Sequence, residues 1–304
     1  MSEEWIFFVD TNIYLDFYRQ PGESVKRQLA GLERHIERLI FGDQIRMEFL
    51  KNRQKVLLKT LSELKKPVGP TGIPQVFSEL QASSTMGKHL RSAQSRFKDL
   101  KTKGEKMLAD PSRNDPIFVT VNRIFARNTP LNLRRPDKKR FTVRRRARKR
   151  FFLGYPPRKS GDTSIGDAVN WEWIVECACQ HDGKPHVMIV SRDGDFGIQS
   201  DGGVYLNDWL GKEFKERVSR KRKVVLTNKL TDALKLMDET VTEEDLRHEE
   251  ELIASFRERI TLEELIRYRQ RGAAARILAP DPELEMLLTG DPEIDDVIPD
   301  WDDD

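Results

Sequence analysis

Cysteine is almost absent from this sequence, with two in 304 residues, Cys177 and Cys179. No further cysteine exists to complete a zinc site, and a spacing of two puts the pair on different faces of a helix. Both are expected as free, buried thiols in a reducing compartment. Histidine is also scarce: His35, His89, His181, His186 and His248 are scattered, none at a metal-ligand spacing. Any hydrolytic chemistry therefore falls to carboxylates. No apolar run approaches the roughly 18–20 residues that cross a bilayer, so no membrane partner is expected. The acidic start, MSEEW, leads straight into a strand-like run and does not read as a secretory leader, which makes a cytoplasmic location the default expectation.

Charge, by contrast, is abundant: 34% of residues are Asp, Glu, Lys or Arg, against 38% hydrophobic. The formal net charge of +3 hides a division. Residues 241–304 hold 20 acidic and 7 basic side chains, which leaves 30 acidic and 46 basic in residues 1–240. A basic body with an acidic tail suggests a polyanionic, nucleic-acid partner for the body.

Three short apolar runs read as buried strands: residues 5–10, 186–196 (HVMIVSRDGDF, ending in acids) and 223–228. Helical spacing is evident over 23–39, over 43–66 with an Asp at its start, and over 165–180. Residues 67–74 hold three prolines and two glycines and mark a break. Strands alternating with helices predict an α/β layered fold with a mostly parallel sheet, in which functional groups collect at the carboxyl ends of strands. Asp10 and Asp193 both stand at such ends.

Four acids follow in order: Asp10 in FVDTN, Glu48 in RMEFLKNR, Asp167 in GDAVNWEWIVE and Asp193 in IVSRDGDF, with Asp195 two residues on. Singly, each has an ordinary explanation: a loop-amide acceptor, a solvated helix Glu, a charge favourable with the helix dipole, an Asp-Gly turn. Together, DTNIYLDFYR (10–19), EFLKNR (48–53), GYPPRKSGDTSIGDAVNWEWI (154–174) and SRDGDF (191–196) resemble the PIN-domain ribonucleases, and are nearest to a bacterial PIN-like branch of unknown function. The resemblance covers roughly residues 5–60 and 150–238. Ser191 stands where the family more often has Thr, and GYPP permutes a PPGY order.

The resemblance implies a three-layer α/β/α sandwich over 1–238, with 67–150 as an insertion and 239–304 as an acidic, partly helical extension. It also implies a metal-dependent endoribonuclease, with a role in stress response or phage defence and products ending in 3′-hydroxyl and 5′-phosphate. Asp10, Glu48, Asp167 and Asp193 would be both catalytic and metal-binding, Asp195 a further candidate ligand, and Asn12 and Ser191 the groups that hold the carboxylates. Clustered carboxylates need a compensating cation, and an all-oxygen site suits Mg²⁺ or Mn²⁺.

The most basic stretch, 134–150, has 11 bases and one acid, Asp137. Arg134, Arg135, Lys138, Lys139, Arg140, Arg144, Arg145, Arg146, Arg148, Lys149 and Arg150 are the candidate phosphate-binding residues, with Phe141, Phe151, Phe152 and Tyr155 as candidates to stack on unpaired bases. RNA is the expected partner. Two other readings stand beside it: a structure-specific DNA nuclease, and an inactive module that binds RNA or a protein. The acidic tail reads equally as a solvated appendage, as a restraint lying over the basic groove, or as the recruiter of an inhibitory partner. Oligomeric state and sequence preference are not legible.

Overall fold

The computed structural model describes residues 3–69, 75–157, 164–200 and 203–256. The chain forms two compact units, Met1–Ile253 and Ala254–Asp304, and the sheet with its surrounding helices belongs to the first. The acidic chain end from 257 onward lies outside the described residues, as does 158–163 of the Gly/Pro-rich loop.

Five strands make the central sheet: β1 (Trp5–Val9), β2 (Leu39–Gly42), β3 (Asn132–Leu133), β4 (His186–Val190) and β7 (Val224–Thr227), in the order β3-β2-β1-β4-β7 and all parallel. Every residue of β1 is buried, which explains its unbroken apolar run WIFFV: a parallel strand covered on both faces has no polar side. The covering elements are α1 (Thr11–Asp16), α2 (Gly22–Arg34), α3 (Asp43–Glu63), α7 (Pro116–Ala126), α8 (Lys139–Phe152), α9 (Gly166–Gln180), α10 (Asp208–Arg217) and α11 (Leu230–Leu236). Between α3 and α7 run the single turns α4 (Gln75–Ser78) and α6 (Pro111–Asn114) and the long helix α5 (Gln81–Ala109). A separate antiparallel hairpin, β5 (Gly197–Ser200) and β6 (Gly203–Leu206), precedes α10. Helices on both faces of a parallel sheet make the three-layer sandwich that the alternation predicts.

Strands β2 and β3 are laid down to one side of β1, and β4 and β7 to the other. The direction of winding therefore reverses between β1 and β4. In open α/β sheets the crevice outside the carboxyl ends of strands at such a reversal is where ligands bind. Asp10 directly follows β1 and Ser191 directly follows β4.

Segment 67–150 contributes to this core: β3 is the edge strand, and Trp173 Nε1 donates to Phe41 O and Leu131 O, tying α9 to it. The buried face of α3 is Ile45, Phe49, Arg53 and Leu57, a row at intervals of four. Arg53 is 3% exposed and donates to Asp115 Oδ2 at 2.6 and 2.9 Å and to Tyr18 Oη at 3.0 Å. The EFLKNR motif thus supplies a buried clamp on the segment that follows it, as well as Glu48.

Residues 243–253 are helical (α12) and dock on the body. Asp245 accepts from Ser24 Oγ at 2.6 Å and from Arg27, and Glu249 accepts from the amides of Leu230 and Thr231 at the start of α11. Those anchors carry the first unit past residue 238 to Ile253. The expectation for the cysteines is corrected at one position. Cys177 is buried among apolar groups, but Cys179, on the other side of α9, is exposed.

Candidate active site

Asp10 is the N-cap of α1, so the strand end and the helix start share one carboxylate. It is 5% exposed. Oδ1 accepts from Thr11 N at 2.6 Å; Oδ2 accepts from Ser191 Oγ at 2.6 Å and from Asn12 Nδ2 at 2.8 Å. Asn12 Oδ1 in turn accepts from Arg192 N at 3.3 Å, and Ser191 Oγ accepts from Asp193 N at 3.2 Å. Asn12 and Ser191 therefore stitch the end of β1 to the end of β4 across the reversal point.

Glu48 lies half-buried beside Phe49, one turn into α3. Oε2 accepts from Thr11 Oγ1 at 3.1 Å and Oε1 from Gln44 Nε2 at 2.6 Å. Asp167 is in the first turn of α9, next to Gly166, whose missing side chain is what admits Glu48: a Cβ there would stand 2.4 Å from Glu48 Oε1 and 2.7 Å from Gln44 Nε2. Asp193 is half-buried in the turn after β4, and Asp195, in the same turn, is buried.

The charges bear on one another. Burial, then the charge of Asp193, then that of Glu48 push the Asp10 carboxyl up to about 7, against the hydrogen bonds from Ser191 and Thr11. Burial also raises Glu48; Gln44 and Thr11 oppose the shift, and Asp193 adds to it. The structure thus brings Asp10, Glu48 and Asp193 into one electrostatic cluster and sets the Asp167 helix start against Glu48. Among the described residues, no three acidic, His or Cys groups converge closely enough to enclose a metal ion unaided. The donor chemistry nonetheless fits a hard divalent cation. The set is all oxygen, Asp10 uses three of about four acceptor positions, Glu48 uses two, and the mutual repulsion is what a cation relieves.

Gln44 escapes a reading by motif, and Thr11 and Gly166 lie inside the quoted motifs without a role assigned to them. Gln44 had a signal, since it lies four residues before Glu48 on one helix face. We expect Gly166→Ala to displace Glu48 and lower phosphodiester cleavage by roughly tenfold or more, because small misplacements in a site are costly. Thermal unfolding should barely change, as Ala suits a helix. Full activity with an unchanged melting curve would show that Glu48 has no role.

The basic run forms α8, antiparallel to α9: Lys139 meets Gln180, Arg146 meets Glu176 at 2.7 Å, and Arg150 meets Glu172 at 2.9 Å. Its last turn therefore lies toward the end of α9 that carries Asp167. Arg150 is a correction to the phosphate-binding set. It is 4% exposed and ion-paired to Glu172 and Glu213, so it is not available to a polyanion. Val143, Ala147 and Arg150 form the inward face of α8. Against the effect of its burial, Glu172 is held below the usual carboxylate range by Arg217 and Arg150.

Of the others, Arg134 pairs with Asp137 at 3.1 Å and Arg135 with Asp43 at 3.7 Å. Lys138, Arg145, Arg148 and Lys149 are exposed, with no ion pair among the described residues. Arg140 and Arg144 line a narrow cleft with Asp43, Gln44 and Asn170, which places them beside the Glu48 end of the cluster.

A parallel sheet with its acids gathered at the reversal point, beside a basic helix, describes a nuclease-type α/β domain. A family model of the PIN domain matches residues 7–196, more than half of the chain and all four acids, and the chain belongs to that family. No curated protein and no solved structure matches it. PIN domains are generally metal-dependent nucleases acting on nucleic acid. No helix among the described residues is long and apolar enough to cross a membrane.

Proposed function

We propose that the protein is an endoribonuclease that uses Mg²⁺ or Mn²⁺ held by Asp10, Glu48, Asp167 and Asp193, with Asp195 as a further candidate ligand. The observation that carries this reading is the Asp10 carboxyl, raised by its burial and then by the charges of Asp193 and Glu48, while Asn12 and Ser191 fix its orientation. When bound, a divalent cation polarises the phosphoryl oxygen and makes water a better nucleophile at neutral pH. The chain's own groups do the rest. Thr11 and Gln44 hold Glu48 facing the cluster, the Asn12–Ser191 pair keeps the ends of β1 and β4 together, and the unpaired bases of α8 gather phosphates. A role in stress response or phage defence remains the family-based expectation. Restraint by the acidic tail beyond residue 256, or by an inhibitory partner recruited to it, concerns residues outside those described.

The test is cleavage of end-labelled single-stranded RNA, flap DNA and duplex DNA side by side, with Mg²⁺, Mn²⁺ or a chelator. Metal-dependent internal cuts in RNA support the reading. Cleavage of the flap alone would make the protein a DNA nuclease.

The raised acids also set a pH dependence. A carboxyl whose folded pKa lies above its unfolded value contributes stability that is fully present below the unfolded pKa and is lost as pH rises through the folded one. For Asp10 that window runs from about 4 to about 7. In chelator, wild type should lose roughly 2–4 kcal/mol relative to Asp10→Asn between pH 4 and pH 8. Urea unfolding at the two pH values reads the difference, and parallel pH profiles would mean that Asp10 is not held under repulsion.

A further inference from the structure

Two aromatic side chains from distant parts of the chain meet on the surface. Tyr155 and Trp209 have ring centroids 5.0 Å apart and planes 34° apart, yet remain 39% and 45% exposed. Neither is placed by accident. Gly154, at φ 72°, reverses the chain after α8, and Tyr155 N donates back to Arg150 O at 3.1 Å. Trp209 opens α10, its amide capped by Asn207 Oδ1 at 3.0 Å, and Asn207 N donates to Phe196 O at 2.9 Å, next to the Asp193–Asp195 turn.

Arg150 locks the two supports together. It pairs with Glu172 of α9 and Glu213 of α10 and donates to Pro156 O in the Tyr155 loop. One side of the ring pair is therefore tied through Arg150 to Glu172 midway along α9, and the other is tethered to the turn that bears Asp193. Exposed Arg148 and Lys149 stand just before it, and Phe152 is 84% exposed beside them. Large half-exposed rings backed by a buried ion-pair clamp and flanked by unpaired cations are what a strand of unpaired nucleotides binds: bases on the ring faces, phosphates on the cations. In a duplex the base faces are already stacked on one another and cannot be used this way.

We propose that Tyr155 and Trp209 form a base-stacking platform for single-stranded RNA, one that selects unpaired over paired substrate at the acidic cluster. This deepens the ribonuclease reading and rests on it for the identity of the substrate. The buried Arg150 clamp is the positioning residue of the platform rather than a phosphate ligand.

The experiment measures binding and cleavage separately. In chelator, the affinity of the full chain for a short single-stranded RNA and for the same sequence as a duplex is read by fluorescence anisotropy, for wild type, Trp209→Ala, Trp209→Phe and Tyr155→Ala. Loss of one stacked base should weaken single-strand binding about tenfold in Trp209→Ala and leave the duplex unchanged; Trp209→Phe should recover most of the loss. With metal, the KM for the single strand should rise by a similar factor while kcat stays constant. Equal single-strand affinity in wild type and Trp209→Ala overturns the platform, and so does an equal loss for duplex and single strand. Discriminating binding without any cleavage supports the platform and overturns the nuclease reading, so the two fail separately.

Discussion

Asp10→Asn should abolish metal-dependent cleavage, with a fall of roughly 10³-fold or more, since a bound cation contributes several kcal/mol to the transition state. Asparagine keeps the size of the side chain and removes the charge that holds the cation. The substitution has a local cost as well: all three contacts of Asp10 are donations to it, so the amide NH2 of Asn forfeits at least one of them, by about 1 kcal/mol. Asp10 is linked to both strand ends, through Thr11 N, Asn12 and Ser191, and it carries the repulsion of both Asp193 and Glu48. Its loss thus relieves strain in the resting protein while it disables the site. Activity and stability should move in opposite directions, a pattern that general damage to the fold cannot produce. Rates from end-labelled RNA and unfolding curves on the same preparations check it; activity within a factor of two of wild type would place the chemistry elsewhere.

Arg192→Ala should destabilise the fold by about 3–5 kcal/mol, the cost of breaking a buried ion pair by removing one partner. Arg192 is 1% exposed and sits between Asp16 and Glu249, both 2% exposed, with its Nε donating to Asn228 O at 3.2 Å. Removing it leaves the buried Glu249 without a cation and Asp16 with Arg19 alone. It also loosens the Ser191–Asp193 turn and leaves Glu249 held only by the amides of Leu230 and Thr231 and the Thr231 hydroxyl. The effect should therefore reach both the acidic cluster and α12. Urea unfolding reads it as a lower midpoint at an unchanged slope. A loss under about 1 kcal/mol would mean that water reaches the network and that α12 does not brace the site.

The parts of this protein that were legible in its sequence are local. A wholly buried parallel strand shows as an unbroken apolar run, as WIFFV does; HVMIV and VVLT were legible as short apolar runs too, although β4 begins at a half-buried His186 and Val225 of β7 is exposed. Acids at strand ends and helix starts were visible because their neighbours fixed their place in the element. The two-residue strand β3 was not, being too short to carry a period, and neither was the hairpin of β5 and β6, whose strands are largely unburied.

Long-range ion pairing was the larger blind spot. Within 11 bases nothing in composition marks Arg150 as buried, although its spacing from Val143 and Ala147 puts all three on one helix face. Asp245 and Glu249 lie in an acidic stretch that reads as a solvated tail, but both are buried against partners more than 200 or 50 residues away in sequence, Ser24 and Arg192. Likewise Arg53 and Arg192 fall inside motifs that point to chemistry, and the structure gives both a scaffolding task.

The central claim is that Asp10, Glu48, Asp167 and Asp193 make one divalent-cation site. Titration of Mn²⁺ into the full chain at neutral pH, followed by the paramagnetic resonance of free Mn²⁺, tests it most directly, with Asp193→Asn run in parallel. Saturable binding in wild type, weakened at least tenfold by Asp193→Asn and competed by Mg²⁺, is the predicted result. Equal binding by both proteins, or none by wild type, would contradict it.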